Sequence, residues 1–357
     1  MTLVQLRYLI AVVDANLNIT AAAARLNATQ PGISKQLKLL EDELGFQVFV
    51  RKGKSLERTT PAGVEVIERA RSVLVETDNI RSLAADFQQQ SDGELHILAT
   101  QTQARLFLPR VLGVLKAQYP ALGIRQSYFS ENPAAATSES ESVDLSVVSA
   151  TANETVGQPA IPLYRWRRTL LAPTGHPLTR LGRAITLADI AEHPLVSYPS
   201  MARPGSSVSR TFTLSNLSPR FVGTAQDPEL IKSYVRSGLG VGLIAEMAVN
   251  ASDGADLVAI DIGDLLPTCT AWAVLRRDTV ARRYTLDLLR LLAPRYSLQD
   301  ISRLLRDGRP LPDRPAPWWS DVQAHEPVVP LHPTPTPAPP PSNVTAFPAA
   351  QVRRGGC

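Results

Sequence analysis

The spacing of apolar residues between positions 60 and 90 constrains the architecture of this chain more than any other feature. From Val66 onward, apolar or small residues recur at alternating intervals of four and three, the heptad pattern of a two-stranded helical seam. The pattern runs through Val66, Ala70, Val73, Thr77, Ile80, Ala84 and Phe87. It predicts a dimerisation helix of about 28 residues, which would be ~40 Å long. A helix lying against its own domain is the alternative.

Three short helices and a small hairpin are predicted ahead of this helix, over residues 1–59. Apolar residues at helical spacing predict a first helix over residues 3–13. Asn18 is a suitable N-cap for a second helix, and Thr29 for a third helix that tolerates Pro31 in its first turn and ends at Gly45. Alternating apolar residues from Phe46 then predict a β-wing. The sequence therefore predicts a winged helix-turn-helix.

The third helix of such a unit enters the major groove of double-stranded DNA, and its hydrophilic side would contact base edges. The residues expected on that side are Thr29, Gln30, Pro31, Ser34, Lys35 and Lys38. Glutamine can pair with adenine, and lysine can reach guanine or phosphate. On the wing, Arg51, Lys52 and Lys54 are expected to hold backbone phosphates. Three-helix packing without DNA binding is the alternative.

The charge distribution agrees with a polyanionic partner but does not select one by itself. Residues 1–58 hold eight lysines and arginines against five acids, in a chain whose formal net charge is +4. Three of those acids lie together at residues 41–43, which leaves two basic patches, at 35–38 and 51–58. Such patches fit DNA and fit a solvated surface about equally well.

Strands and helices alternate from residue 91 to residue 309, which predicts an α/β domain that binds ligands at the carboxyl ends of its strands. The predicted helices cover 106–118, 228–237 and 279–292, and the predicted strands cover 94–99, 123–128, 144–148, 168–172, 194–198, 220–224, 240–244 and 270–275. The fold class is therefore α + α/β.

The stretch from Thr100 to Gln103 follows the first of these strands and opens a helix. Hydroxyl, amide and backbone N–H groups in that position can bind an anion. The alternative is that these side chains only cap the helix.

Several classes of protein are disfavoured by what the sequence lacks. It shows no Gly-x-Ser-x-Gly elbow, His-x-x-x-His pair or P-loop, so neither a catalytic centre nor a cofactor or metal site is expected. Two cysteines, no secretory signal and no apolar run of ~20 residues favour the cytoplasm over a membrane or an export route. An α/β enzyme and a solute-binding protein remain as alternatives.

The C-terminal segment, residues 310–357, is much richer in proline than the rest of the chain. Thirteen of the 29 prolines fall between Pro310 and Pro348. Residues 310–357 are therefore predicted to form a disordered or polyproline-like tail.

The helix-turn-helix residues also carry a family resemblance. Residues 19–45, followed by Phe49-Val-Arg51 and Thr59-Thr-Pro-Ala-Gly63, closely resemble the LysR-type transcriptional regulators over about 300 residues. The resemblance implies a winged helix-turn-helix, a linker helix and two α/β subdomains that close on an inducer like a periplasmic binding protein. It also implies a homodimer or homotetramer.

Motifs of the second half are similar to the CysB-type branch, which regulates cysteine biosynthesis and sulfur assimilation. These motifs are Thr100-Gln-Thr-Gln103, Tyr164-Arg-Trp166, His176-Pro-Leu178, His193-Pro-Leu195 and residues 231–244. The resemblance implies that Thr100, Thr102, Gln103 and Ser149 bind sulfate or an acylated serine, with O-acetylserine or N-acetylserine as inducer.

Two stretches depart from that branch. Arg203 stands about where a ligand-binding threonine is expected, and an arginine could clasp a sulfate or a carboxylate. Residues 132–142 replace a more regular helix.

Overall fold

The computed structural model describes residues 1–53, 55–88, 93–128, 143–154, 156–157, 159–276 and 280–324. Its first unit is a three-helix head with an antiparallel wing. The elements are α1 (Leu3–Asp14), α2 (Ile19–Arg25), α3 (Gln30–Leu44), β1 (Phe49–Lys52) and β2 (Ser55–Thr59). The predicted winged helix-turn-helix is thus present.

Local capping explains where α3 begins and ends. The Thr29 hydroxyl accepts a hydrogen bond from the Gly32 amide at 3.3 Å, which satisfies one of the backbone donors that a helix start leaves open. Gly45 adopts φ 77° at the other end, a left-handed conformation that a residue without a Cβ reaches at little cost. The apolar side of α3 is buried through Ile33, Leu37 and Leu40.

A 27-residue helix, α4 (Pro61–Phe87), follows the head. Near its start, Ala70 is buried and Val66 packs on the apolar core of the head. Further along, Val73, Ile80 and Phe87 are exposed by 42%, 63% and 81%. The first third of the heptad stripe therefore lies against its own head, as the alternative interpretation had it, whereas these three later members remain available to another chain.

The second half of the chain contains two five-stranded sheets. The first sheet has the order β4-β3-β5-β12-β6 and is formed by β3 (Gly93–Ala99), β4 (Leu122–Tyr128), β5 (Leu145–Thr151), β6 (Ala160–Trp166) and β12 (Cys269–Leu275). Strands β3, β4 and β5 are parallel, and β12 is antiparallel to both of its neighbours. The carboxyl ends of β3, β5 and β6 consequently meet at one edge of the sheet.

The second sheet has the order β11-β7-β10-β8-β9, from β7 (Arg168–Pro173), β8 (Pro194–Ser197), β9 (Arg220–Thr224), β10 (Val241–Ala245) and β11 (Leu257–Asp261). The chain passes between the two sheets twice, at residue 167 and between Asp261 and Cys269. The helices around the sheets are α5 (Gln101–Leu106), α6 (Leu108–Gln118), α7 (Leu187–Ala191), α8 (Pro199–Ala202), α9 (Ser207–Leu214), α10 (Pro228–Arg236), α11 (Arg283–Leu292), α12 (Leu298–Asp307) and α13 (Trp319–Ala324).

The prediction of a disordered tail from residue 310 is wrong for residues 310–324. This stretch ends in α13, and its Trp319 is buried in the core of the first sheet. The prediction rested on the prolines and gave no weight to Trp318 and Trp319, whose large rings supply apolar surface that the stretch can bury. Residues 325–357, residues 89–92 and the departing stretch 132–142 lie outside the described residues.

No helix within the described ranges has the length and apolar character needed to cross a bilayer.

Candidate functional site

The hydrophilic side of α3 is open to solvent. Its members Thr29, Gln30, Pro31, Lys35 and Lys38 are exposed, and Ser34 is half-buried. The Gln30 amide donates to the Ser34 hydroxyl at 3.2 Å, so these two side chains are held as a polar pair. The structure therefore brings the predicted base-reading residues together on one face.

On the wing, Arg51 is engaged within the protein. Its guanidinium forms an ion pair at 2.7 Å with Glu41, a carboxylate that is largely buried. The other oxygen of Glu41 accepts from the amides of Val48 and Phe49 at 2.9 and 3.1 Å. Arg51 thus fastens β1 to α3, and contact with phosphate stays a prediction for it. Lys52 is exposed, and Lys54 is outside the described residues.

The second cluster lies at the edge where β3, β5 and β6 end. Thr100 follows β3 and caps α5, accepting from the Gln103 amide at 3.3 Å. Thr102 and Gln103 are buried on α5. Because α5 has only six residues, its backbone dipole contributes little, and the side chains must supply the polarity of this edge.

Ser149 joins this cluster from inside β5, not from beyond the strand as the sequence indicated, because β5 continues to Thr151. The Ser149 hydroxyl oxygen accepts from the Gln103 side-chain amide at 3.3 Å and from the Trp166 indole at 3.2 Å. Strand β6 supplies Trp166, so one serine oxygen joins α5, β5 and β6.

Two tyrosines complete the cluster, and the predictions had not assigned either of them to the site. Tyr164 on β6 donates its hydroxyl proton to the Gln103 carbonyl oxygen. Tyr198 follows β8 of the other sheet, and its oxygen accepts from the Thr102 hydroxyl at 3.4 Å. Burial raises the pKa of Tyr198 to about 12 and raises that of Tyr164 further. Both hydroxyls therefore keep their protons at neutral pH.

The hydrogen bond between Thr102 and Tyr198 crosses from the first sheet to the second. The site consequently lies between the two sheets, where a ligand would touch both. The sequence marked Tyr164 only as part of a family motif and Tyr198 only as the end of the predicted strand 194–198. Neither was assigned to the site, because contacts between side chains that are distant in sequence produce no local spacing pattern.

Arg203 is not joined to this cluster in the structure. It ends α8, its side chain is exposed, and its carbonyl oxygen accepts from the Ser209 hydroxyl at 3.0 Å. A different arginine is buried where the chain passes between the sheets. Arg168 donates to the Ser207 hydroxyl at 3.2 Å and to the Pro267 carbonyl, and its guanidinium lies 5.7 Å from the Trp166 ring centre.

Neither histidines nor cysteines build a centre in the described part of the chain. His176 and His193 stack edge to face at 4.6 Å between ring centres, next to their prolines. Cys269 is buried, which raises the pKa of its thiol to about 11. Among the described residues, no group of three or more His, Cys, Asp or Glu side chains is arranged to hold a metal ion.

Comparison with known proteins gives two family matches that together span most of the chain. Residues 3–64 match the family described as bacterial regulatory helix-turn-helix protein, lysR family, and residues 88–297 match the LysR substrate binding domain. The chain is 36% identical over 306 residues to the HTH-type transcriptional regulator CysB of Haemophilus influenzae, covering 85% of this chain and 94% of the relative. It is 34% identical over 305 residues to the HTH-type transcriptional regulator SsuR of Burkholderia cenocepacia, covering 85% and 98%.

Among solved structures, the cofactor-binding domain of the Cbl transcriptional regulator is similar at a TM-score of 0.54 and 31% identity. That match covers 60% of this chain and 94% of the solved domain.

Proposed function

Because this chain belongs to the LysR family of transcriptional regulators, we propose that a small anion of sulfur metabolism controls how it acts on DNA. Like its relatives, which are transcriptional regulators, the chain is a DNA-binding transcription regulator and not an enzyme. Family membership does not determine which residues of this chain read the DNA, which residues bind the effector, or what chemistry that effector has.

The observation that supports an anionic effector is the direction of the hydrogen bonds at the site. Ser149 accepts two N–H groups through one oxygen, which leaves its own proton to donate. Gln103 uses its carbonyl oxygen on Tyr164, which leaves N–H groups facing Ser149. The protons that Ser149 and Gln103 still have to donate favour a ligand that presents acceptors to them, such as sulfate or a carboxylate.

The effectors that fit are O-acetylserine, N-acetylserine and sulfate, bound by Thr100, Thr102, Gln103 and Ser149. Each can present an oxyanion to these donors, and the acylated serines add a carbonyl oxygen. The ammonium group of O-acetylserine and the amide N–H and hydroxyl of N-acetylserine would have to face away from these donors. Arg203 would join only if the two sheets closed over the ligand, since it now lies exposed at the end of α8. We place the protein in the cytoplasm, where its DNA target would be.

Calorimetry on the full chain tests the effector site. Sulfate, O-acetylserine and N-acetylserine are titrated into the wild type, Thr102→Ala and Thr213→Ala. Thr213 is a matched control, because it is an exposed threonine whose hydroxyl donates to the Ser209 carbonyl within its own helix. Binding should weaken in Thr102→Ala and persist in Thr213→Ala. Equal binding by all three proteins would remove Thr102 from the site.

For the DNA side, we propose that Gln30, Ser34 and Lys35 read bases and that Lys52 and Lys54 hold phosphates. Removing a bidentate base reader should cost ~1–3 kcal/mol and relax the preference at one base pair. Mobility shifts of Gln30→Ala and Lys52→Ala on a target site and its single-base variants separate the two roles. A uniform loss over all sequences in Gln30→Ala would reassign Gln30 to the backbone.

A further inference from the structure

The segment that runs from Arg314 to Ala324 forms an additional layer on the first sheet. It follows α12 and lies beyond residue 297, where the match to the substrate-binding domain ends. The Pro317 carbonyl accepts from the Arg165 amide at 2.8 Å, and the Ala316 carbonyl accepts from the Arg165 side chain at 2.8 Å. Because β6 is the edge strand of its sheet, the segment covers backbone groups that an edge would leave open.

Two adjacent tryptophans anchor this segment, and they point in opposite directions. Trp318 is half-buried, and the guanidinium groups of Arg165 and Arg167 lie 4.4 and 4.6 Å from its ring centre. Trp319 points inward, where only 6% of it is exposed. Its ring centre is 5.1 Å from that of Tyr164 and 6.3 Å from that of Phe107.

Tyr164 therefore stands between the segment and the effector site. Phe107 packs on it edge to face at 4.7 Å, Trp319 packs on it at 5.1 Å, and none of its surface is exposed. Its hydroxyl has two neighbours that can accept a proton, the Gln103 carbonyl oxygen and the Met247 sulfur at 3.8 Å. A thioether is a weak acceptor, so the proton goes to Gln103.

This choice decides which end of the Gln103 amide faces the ligand. With its oxygen committed to Tyr164, the side chain directs its nitrogen toward Ser149 at 3.3 Å. An amide nitrogen carries two protons, so one remains after the bond to Ser149. If Tyr164 moved away, the amide could turn over, and an acceptor would replace the donor offered to the ligand.

We propose that residues 314–324 are a positioning element of the effector site, in which Trp319 holds Tyr164 against Gln103 so that the Gln103 side-chain amide presents its remaining N–H group to an anion. This rests on the proposed function, because it concerns the same site. Tyr164 and Trp319 act through Gln103 and are positioning residues, and Trp318 is only an outer anchor.

The test measures sulfate and N-acetylserine binding to the full chain by calorimetry. Tyr164→Phe keeps every ring contact and loses the hydroxyl, and Trp319→Phe shrinks the inner ring. Each should weaken binding about tenfold, the loss expected for one hydrogen bond to a charged ligand. Trp318→Phe is the matched control and should bind like the wild type. Wild-type affinity in Trp319→Phe, or an equal loss in Trp318→Phe, would overturn the proposal.

A double-variant measurement separates positioning from general loosening of the fold. Once Tyr164→Phe has removed the hydroxyl, Trp319→Phe has nothing left to position and should weaken binding no further. Independent structural effects would instead add. If Trp319→Phe fails to fold, Val322→Ala replaces it as a milder change in the same helix, since Val322 packs on the same core. Additive losses would contradict the proposal.

A measurement without ligand distinguishes failure of this inference from failure of the proposed function. If the wild type binds none of these anions, the proposed effector class is wrong. The side-chain amide resonance of Gln103, in protein labelled with isotopic glutamine and assigned through Gln103→Ala, still decides the positioning. Its protection from solvent exchange should fall in Tyr164→Phe and Trp319→Phe and persist in Trp318→Phe. Unchanged protection in the first two variants would refute the inference.

Discussion

At the scale of single residues, Glu41 shows how one buried carboxylate orders the DNA-binding head. It lies on α3, and its two oxygens bind the amides of Val48 and Phe49 and the guanidinium of Arg51. These partners all belong to the start of the wing. The angle between α3 and the strands beside it therefore depends on this carboxylate.

Replacing Glu41 by alanine should destabilise the head, because it leaves two buried amides and an arginine without their acceptor. We expect a loss of ~2–3 kcal/mol in the free energy of unfolding, measured by urea denaturation. Asp42→Ala is the control, since Asp42 is the next residue and is exposed. A Glu41→Ala protein as stable as the Asp42→Ala protein would show that these hydrogen bonds contribute little.

The sequence predicted the polar face of α3 residue by residue but not the role of Glu41 or Arg51. Helical spacing places Gln30, Ser34 and Lys35 on one side without reference to the rest of the fold. In contrast, the pairing of Glu41 with Arg51 depends on how the wing folds back on α3. Sequence reasoning therefore assigned Arg51 to phosphate contact alone.

At the scale of elements, a charge network centred on the buried Lys232 attaches α10 to the segment between β10 and β11. The Lys232 side chain is fully buried and pairs with Asp253 at 2.7 Å and with Glu229 at 3.0 Å. Arg236 pairs with Asp253 at 3.1 Å and with Asp256 at 2.7 Å. Burial opposes ionisation of Asp253, but hydrogen bonds from Lys232, the Asn250 amide and Arg236 outweigh it, so its pKa lies below the ordinary 3.8.

Asp253→Asn should destabilise the protein by ~3 kcal/mol at neutral pH, because it leaves the buried Lys232 without its main counter-charge. Asp256→Asn breaks a half-exposed pair with the same Arg236 and should cost ~1 kcal/mol or less. Because the folded pKa of Asp253 is lowered, its contribution is present above pH 3.8 and is lost as the pH falls through the folded value. Urea denaturation should show that the difference in free energy of unfolding between the wild type and Asp253→Asn is smaller at pH 3 than at pH 7. The same difference at both pH values would argue against the pairing of Asp253 with Lys232.

The elements that sequence patterns missed have weak local signals. Strand β6 contains Pro162 within Ala-Ile-Pro-Leu-Tyr-Arg-Trp. Proline argues against a strand except at the edge of a sheet. Strand β6 is such an edge strand, and the segment that contains α13 lies along it. Helix α9 is rich in serine and threonine, which compete with helical hydrogen bonding. In both cases packing against the rest of the domain decided the conformation. The strands with continuous apolar runs, such as β10, were predicted to within a residue of their ends.

At the scale of the whole molecule, α4 is the element expected to join two copies of the chain. One side of it is already occupied, since Asn79 is buried and accepts from the Val280 amide at 2.7 Å. The exposed apolar side chains at Val73, Ile80 and Phe87 recur at heptad spacing on another side. Pairing of these side chains between two helices would remove them from water and present two DNA-binding heads.

Ile80→Glu should therefore dissociate the oligomer, because it places a charge in the middle of the apolar stripe. Ser72→Glu adds the same charge to the same helix, at an exposed position outside the stripe, and should leave the oligomer intact. Sedimentation equilibrium gives the mass of each protein, and mobility shifts should show that the Ile80→Glu protein binds a two-half-site target more weakly. An Ile80→Glu protein with the wild-type mass would show that α4 does not form the interface.

Coupling between the effector site and the DNA-binding head can be measured from either side in the full-length protein. The Thr102 hydroxyl contacts Tyr198 of the other sheet, so a ligand bound there would be expected to favour one arrangement of the two sheets. Such a ligand can alter DNA binding only by binding two arrangements unequally. If N-acetylserine changes DNA affinity by some factor, DNA must change N-acetylserine affinity by the same factor, typically ~5–150-fold. Fluorescence anisotropy at fixed salt measures the change in DNA affinity, and calorimetry on the free protein and on its DNA complex measures the change in N-acetylserine affinity. The two factors should match. In Thr102→Ala both factors should fall toward one, which is the value for no coupling. Wild-type factors in Thr102→Ala would mean that the metabolite acts through a second site.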